Sequence, residues 1–229
     1  MPKLRNQSIV SAATAAPTAI SLSQSLAAAG ALLINGALAA TVQAFPSGAQ
    51  STIANVLNAA GQSQPITITS AGNDSGLTWT ISGTGYSGAP ISETLAGGNA
   101  AAVTSLYNYA TITSIKGSGA TASTVTAGTG ATQYGPWLIV GAQQNEFQTN
   151  VRAFIGTTQV PATATYNIQA TSDINLMNQV GGYADDIDTL ATALTQNVSS
   201  YPNAPWHGYR LVVTAGGPVT LRIIENRTA

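Results

Sequence analysis

"PITITSAGNDSGLTWTI", residues 65–81, decides the fold class. Ile66 and Ile68 alternate with Thr67 and Thr69, and Leu77, Trp79 and Ile81 alternate with Thr78 and Thr80. A period of two puts the large apolar side chains on one face of an extended segment, the mark of a half-buried strand. Between the two runs, "SAGNDSG" (70–76) supplies turn formers. Glycine reaches positive φ without steric cost, and Asn, Asp and Ser side chains hydrogen-bond to the local backbone.

The same grammar extends outward. "GTGYSGAP" (83–90) reads as a turn and "ISETL" (91–95) as a strand; after "GGNAA", "YATITSI" (109–115) and "STVTA" (123–127) are further strands. Between these, "AAVTSLY" (101–107) could be read as a short helix. Turn signals at intervals of about 8–12 residues point to an all-β sandwich or barrel. Toward the C-terminus, "WLIVG" (137–141), "VRAFIG" (151–156) and "ATYNIQA" (164–170) read as strands. "YRLVVT" (209–214) and "VTLRIIE" (219–225), flanking "AGGP", read as a closing hairpin. In "ADDIDTLATALTQNV" (184–198), Ile187, Leu190, Leu194 and Val198 recur at spacings of three and four, which predicts one helix.

The charge-free stretch "AAAGALLINGALAATVQA" (27–44) raises the question of a membrane span. A spanning helix needs about 20 apolar residues in a row, and Gly30, Asn35, Gly36 and Thr41 interrupt this one. Lys3 and Arg5 stand more than twenty residues upstream, unlike the basic start of a secretory leader. Asn35-Gly36 between two apolar runs instead predicts a two-residue β-hairpin turn, and no membrane contact is expected.

These readings give an all-β protein of two β-sandwich or jelly-roll-like units, residues 18–135 and 136–229, with one short helix. The second unit starts near Tyr134-Gly135-Pro136. Residues 1–17, "MPKLRNQSIVSAATAAP", are polar or small and end at Pro17, which predicts an extended arm. Such arms fray unless a partner ties them down.

Only 7% of the 229 residues are charged, against about 25% in an ordinary domain. With 44% hydrophobic residues and a net charge of −1, the chain lacks the composition of a disordered protein. A surface so poor in charge repels its copies weakly, which suits a subunit packed among neighbours; a solvated Thr/Ser-rich surface accounts for it equally well. Seven basic residues spread along the chain cannot make a phosphate-tracking stripe, so no nucleic acid is expected. The absence of cysteine excludes disulfides and thiolate metal sites.

Little catalytic chemistry is legible. Asp185, Asp186 and Asp188 lack the glycine-centred turn and downstream acid of a calcium loop, and are expected to cap the predicted helix. His207, the one histidine, lies in "NAPWHGYR" with no Gly-x-Ser-x-Gly elbow in the chain, and is expected to be a packed turn residue. Asp74, Glu93, Glu146, Asp173 and Glu225 are isolated in sequence, so no carboxylate pair is expected. "SGTGYSG" (82–88) lacks the lysine of a phosphate loop. No enzyme activity, cofactor or metal is therefore expected. Trp79 and Trp137 occupy inward positions by pattern, whereas Trp206, near Tyr209 and two prolines, is the aromatic expected at an interface. The expected partner-binding residues are Met1, Lys3, Leu4, Arg5, Ile9 and Val10 of the arm, with Trp206 and Tyr209.

Residues 66–129 resemble a type of tailed-bacteriophage virion structural protein. The pattern is carried by "ITITSAGND", then Ser-Gly and a Thr-alternating strand, then Ser92-Glu93-Thr94, Gly97-Gly98-Asn99 and "TSIKGSGATA". Gly98 stands where proline is commoner in that type. The ending "YRLVVTAGGPVTLRIIEN" (209–226) is similar to the close of such proteins. The resemblance implies a β-rich virion component and carries no active site. Its most specific form is a head decoration, or cement, protein on the outer capsid surface. It would bind the major capsid protein as a symmetric homo-oligomer, such as a trimer. A neck, tail or fibre component and a host-surface glycan-binding module are the other roles expected of such a chain.

Overall fold

The computed structural model describes residues 3–12, 14–43, 50–57, 63–85, 88–139, 147–155, 163–172, 187–200, 206 and 208–227. All regular structure among them is β, in several antiparallel sheets, as the alternation predicts. The chain divides into two compact units, Thr14–Gly130 and a second built from Met1–Ala13 together with Ala131–Ala229. The first is an insertion in the second. We call them the inserted unit and the split unit.

The split unit opens the chain with β1 (Lys3–Val10). The inserted unit follows with β2 (Ala16–Gln24), β3 (Gly30–Ala31), β4 (Ala39–Gln43), β5 (Gln50–Asn55), β6 (Gln64–Ser70), β7 (Thr78–Thr84), β8 (Pro90–Ala96), β9 (Ala102–Tyr109), β10 (Thr111–Gly117) and β11 (Val125–Thr129). One sheet runs β2-β11-β6-β9 and the other β4-β5-β10-β7-β8, with β3 also on β10. Both sheets feed the buried set: Ile20, Ile66, Ile68, Val125 and Ala127 from the first, Trp79, Ile81, Ile112 and Ile115 from the second. Each large aliphatic side chain so buried contributes roughly 1.5–3 kcal/mol.

Two expectations for this unit are corrected. Residues 102–109 are strand β9, not a helix: Val103, Thr104 and Tyr107 suit a pleated surface, and β9 completes the β6 edge with Ile68 opposite Val103. Asn35-Gly36 does not make a hairpin. β3 pairs with β10 and β4 with β5, and the residues between run along the free edge of β2. The N–H groups of Asn35 and Gly36 both donate to Ile20 O, and Asn35 Oδ1 accepts from Leu22 N–H at 2.9 Å. Glycine is needed at 36 for closeness rather than for positive φ, since a Cβ there would stand 2.3 Å from the Ala19 carbonyl. The segment thereby shields an edge that would otherwise invite pairing with another chain.

Glu93 joins the two sheets. In the β6–β9 ladder three residues of β9, Ser105 to Tyr107, face Ile66 alone, so the regular bonds lapse. The Ser105 hydroxyl accepts the Ile66 N–H at 2.7 Å. The carboxylate of Glu93, on edge strand β8 of the other sheet, accepts the N–H groups of Leu106 and Tyr107 at 2.9 and 3.2 Å. A bulge that would strand backbone donors is closed by side chains.

The split unit continues with β12 (Gln133–Tyr134), β13 (Leu138–Ile139), β14 (Phe147–Ile155), β15 (Ala164–Thr171), β16 (Ile187–Leu194), β17 (Val198–Ser200), β18 (Gly208–Gly216) and β19 (Val219–Arg227). Its sheets are β1-β19-β14-β17 and β12-β18-β15-β16, with β13 also on β18. Val10, Ala153, Tyr166, Ile168, Tyr209, Leu211, Val213, Val219, Leu221 and Ile223 form one buried cluster drawn from both.

Three expectations fall here. The proposed arm is strand β1 over residues 3–10, paired along β19 from Lys3↔Glu225 to Val10↔Val219. Its backbone finds a partner within the chain and Val10 is buried, and it belongs with the C-terminal unit. The 184–198 segment is not a helix where it is described: β16 pairs with β15, with Thr171 opposite Ile187 and Tyr166 opposite Leu194. The open edge of β15 outweighs the apolar spacing of three and four, at the cost of a bulge where Ala193 takes φ 49°. "YRLVVT" and "VTLRIIE" are strands but not a hairpin, since β18 pairs with β15 and β19 with β1 and β14. Gly216 and Gly217, with φ of 64° and 120°, carry the chain from one sheet to the other.

Candidate functional site

The β1-β19-β14-β17 sheet gathers charge in a chain that has little. Five of the seven basic residues lie on it: Lys3 and Arg5 on β1, Arg152 on β14, Arg222 and Arg227 on β19. Alternation sorts the described side chains. Val219, Leu221, Ile223, Ala153 and Val10 point into the core. Thr220, Arg222, Ile224, Arg152, Phe154 and Ile9 therefore share the opposite face.

On that face the antiparallel register builds rows across the sheet. One reads Ile9, Thr220, Phe154; the next reads Gln7, Arg222, Arg152, Ser199. Ile9 is 45% exposed, Arg152 is exposed, and Arg222 and Phe154 are half-buried. The Arg222 guanidinium lies over the Phe154 ring, 5.5 Å from its centroid, close enough for a cation–π attraction that limits its freedom. Its Nε is buried and meets no hydrogen-bond acceptor. Arg152 and Arg222 stand directly opposite one another across the ladder. Arginine and aromatic side chains flanked by an exposed isoleucine are the composition of an interface centre.

The expected partner residues divide accordingly. Ile9 belongs to this face, and Lys3, Leu4 and Arg5 lie on its edge strand β1. Val10 (1% exposed) and Tyr209 (2%) are core residues and offer no surface to a partner; burial pushes the Tyr209 hydroxyl up to about 12. Trp206 is half-buried, packed on the split unit's core. Met1, His207, Asp173, Asp185, Asp186 and Glu146 lie outside the described residues. Asp188 falls in strand β16, so its expected role as a helix cap falls with the helix. Among the described residues, no three metal-ligating side chains come together, and no helix is long and apolar enough to cross a membrane.

Trp137 is half-buried rather than a core residue. With Tyr134 it encloses the Arg210 guanidinium, at 4.5 and 4.6 Å from the ring centroids. Arg210 Nε donates to Gln169 Oε1 at 2.9 Å, and Arg210 is 3% exposed. This cation is spent inside the split unit, whereas Arg152 is displayed. Arg152, Arg222 and Phe154 escaped sequence reading because only the β14–β19 register brings them together. No family model, curated protein or solved structure matches the chain.

Proposed function

We propose that the protein is a structural component of a tailed-bacteriophage virion, most specifically a head decoration protein. It binds the outer surface of the major capsid protein as a homo-oligomer and stabilises the shell. The observation that carries a docking role is the segregation of charge: a nearly neutral all-β chain in which five of the seven basic residues lie on the strands of one sheet. The sequence patterns at 66–129 and 209–226 favour a phage particle as the place of docking. A modest contact repeated over a lattice gains strength through avidity, so one such face per subunit is sufficient.

Quantitative mass spectrometry of purified virions, scaled to the major capsid protein, tests this reading. Copies in the hundreds are the expected outcome. A count of about a dozen or fewer, the copy number of ring-symmetric assemblies, would move the protein to the neck, tail or fibre. Absence from virions would overturn the structural reading.

A further inference from the structure

We infer that β4, at the free edge of its sheet, pairs antiparallel with β4 of a second copy of the chain, joining two inserted units through one continuous sheet. This takes from the reading above only that copies of the chain associate, and names the strand through which they do so.

The ribbon of β4 and β5 leaves the body of its sheet. β4 pairs with β5 from Ala39↔Ala54 to Gln43↔Gln50 in unbroken register, but β5 meets β10 only at Ala54 and Asn55. Beyond Ala54, among the described residues, the two strands have only each other as ladder partners. Ala40, Thr41, Ser51 and Thr52 are exposed there. A two-stranded ribbon is marginally stable in water, and further strands or packing are what give it independent stability.

Unpaired edges invite other chains, and proteins blunt them with charge, proline, bulges, shortness or a cover. Every other edge among the described strands carries such a device. β2 is covered by residues 32–38. β8 opens on Pro90 and sends Glu93 across to the bulged β9. β1 carries Lys3, Arg5 and a register shift, and β16 carries Asp188 and two shifts. β3, β12, β13 and β17 are two or three residues long. β4, "AATVQ", has no charge, no proline and no bulge.

A second copy is the occupant that fits. No charged residue lies between Arg5 and Asp74, so two copies brought edge to edge here neither repel each other nor bury an unpaired charge. Antiparallel pairing of identical strands closes about a two-fold axis, the isologous contact of most homodimers. It adds backbone hydrogen bonds by strand addition, turns two ribbons of two strands into one sheet of four, and sets Thr41, the middle residue of β4, opposite its own counterpart.

Sedimentation equilibrium of the full chain should show a reversible dimer. Thr41→Lys and Thr41→Glu each place like charges directly opposite and should weaken it about fivefold at low salt. An equimolar mixture of the two variants should associate at least as tightly as wild type. Thr41 is exposed, so both should melt as the parent does. The chain has no cysteine, so Thr41→Cys supplies a single thiol. A short bismaleimide should join two copies through it, but not through Ser75→Cys, exposed in the turn after β6. A monomeric wild type, the result expected if a strand of another protein fills this edge, would overturn the inference. So would a trimer, which a two-fold contact cannot close, a dimer that the Thr41 variants leave intact, a mixture of Lys and Glu variants that stays apart, or equal cross-linking at positions 41 and 75. A dimer weakened at Thr41 in a protein absent from virions leaves the strand pairing standing and removes the decoration role. Hundreds of copies per virion with a monomeric chain in solution do the reverse.

Discussion

The two units use charge in opposite ways. Between Thr14 and Gly130 the only charged residues are Asp74, Glu93 and Lys116, and both acids serve the backbone. Asp74, 1% exposed, accepts the Ala122 N–H through Oδ1 at 2.7 Å, and Glu93 closes the β9 bulge. The split unit encloses Arg210 between two rings but displays Arg152 beside Arg222 on a sheet face. A rare charge turned inward holds a fold together, whereas the Arg152 side chain lies at the surface.

Alkali should give the largest effect on this contrast. Burial raises the hydroxyl pKa of Tyr209 (to about 12) and of Tyr166 in the split unit. Burial, with the charge of Glu93 second, raises that of Tyr109 in the inserted unit. A phenol that stays protonated in the fold but ionises in the unfolded chain near pH 10 leaves stability intact below that pH. Above it, stability is lost as pH rises toward the folded value. Tyr209 alone should remove up to about 3 kcal/mol between pH 10 and 12, at about 1.4 kcal/mol per pH unit. Urea midpoints measured across that range should be flat below pH 10 and fall above it, and Tyr209→Phe should lessen the fall. A midpoint independent of pH up to 12 would rule out this account of the tyrosines.

Glu93→Ala comes next. Losing a carboxylate that accepts two backbone N–H groups should cost the inserted unit about 2–3 kcal/mol. Trp79, the one tryptophan between Thr14 and Gly130 and fully buried, reports that unit's unfolding by fluorescence. Asp74→Ala should cost about 2 kcal/mol by the same readout, through the lost Ala122 bond. Asp74→Asn, which keeps an acceptor, should cost under about 1 kcal/mol. The smallest effect is expected at Arg152→Gln, within about 0.5 kcal/mol in thermal melting. Were it to cost as much as Glu93→Ala, the displayed arginine would be structural too and the contrast between the units would collapse.

Strands were legible where one face alone is buried. Trp79 and Ile81 are both buried in β7 while Thr78 is exposed, so the period of two survives in the sequence. In β6 it finds the strand but not its burial, since Thr67 is buried along with Ile66 and Ile68 and both faces are covered. It misleads where apolar residues recur at helical spacing beside an open sheet edge, as at 187–194, because pairing partners are set by the tertiary fold. Asn35-Gly36 was recognised as special for the wrong reason: glycine serves two needs, positive φ and close approach, and sequence does not say which. Of the candidate site, Ile9 and strand β1 were within reach, since a basic segment with isolated apolar residues stands out in a neutral chain. The Arg152–Arg222 pair was not, because cross-strand register between segments so distant in sequence leaves no local trace.

The pairing of β1 with β19 also dictates an order of events during synthesis. Ile9 is among the first residues made, yet its partner Thr220 emerges only after the whole inserted unit and strands β12 to β18. At a translation rate of about 5–20 residues per second, β1 waits on the order of ten seconds or more with its partner strand unmade. The inserted unit, whose sheets draw only on its own strands, can complete its fold in that interval. The nascent chain thus carries a finished module on a tether while the strand before it stays open to capture by chaperones or by other chains.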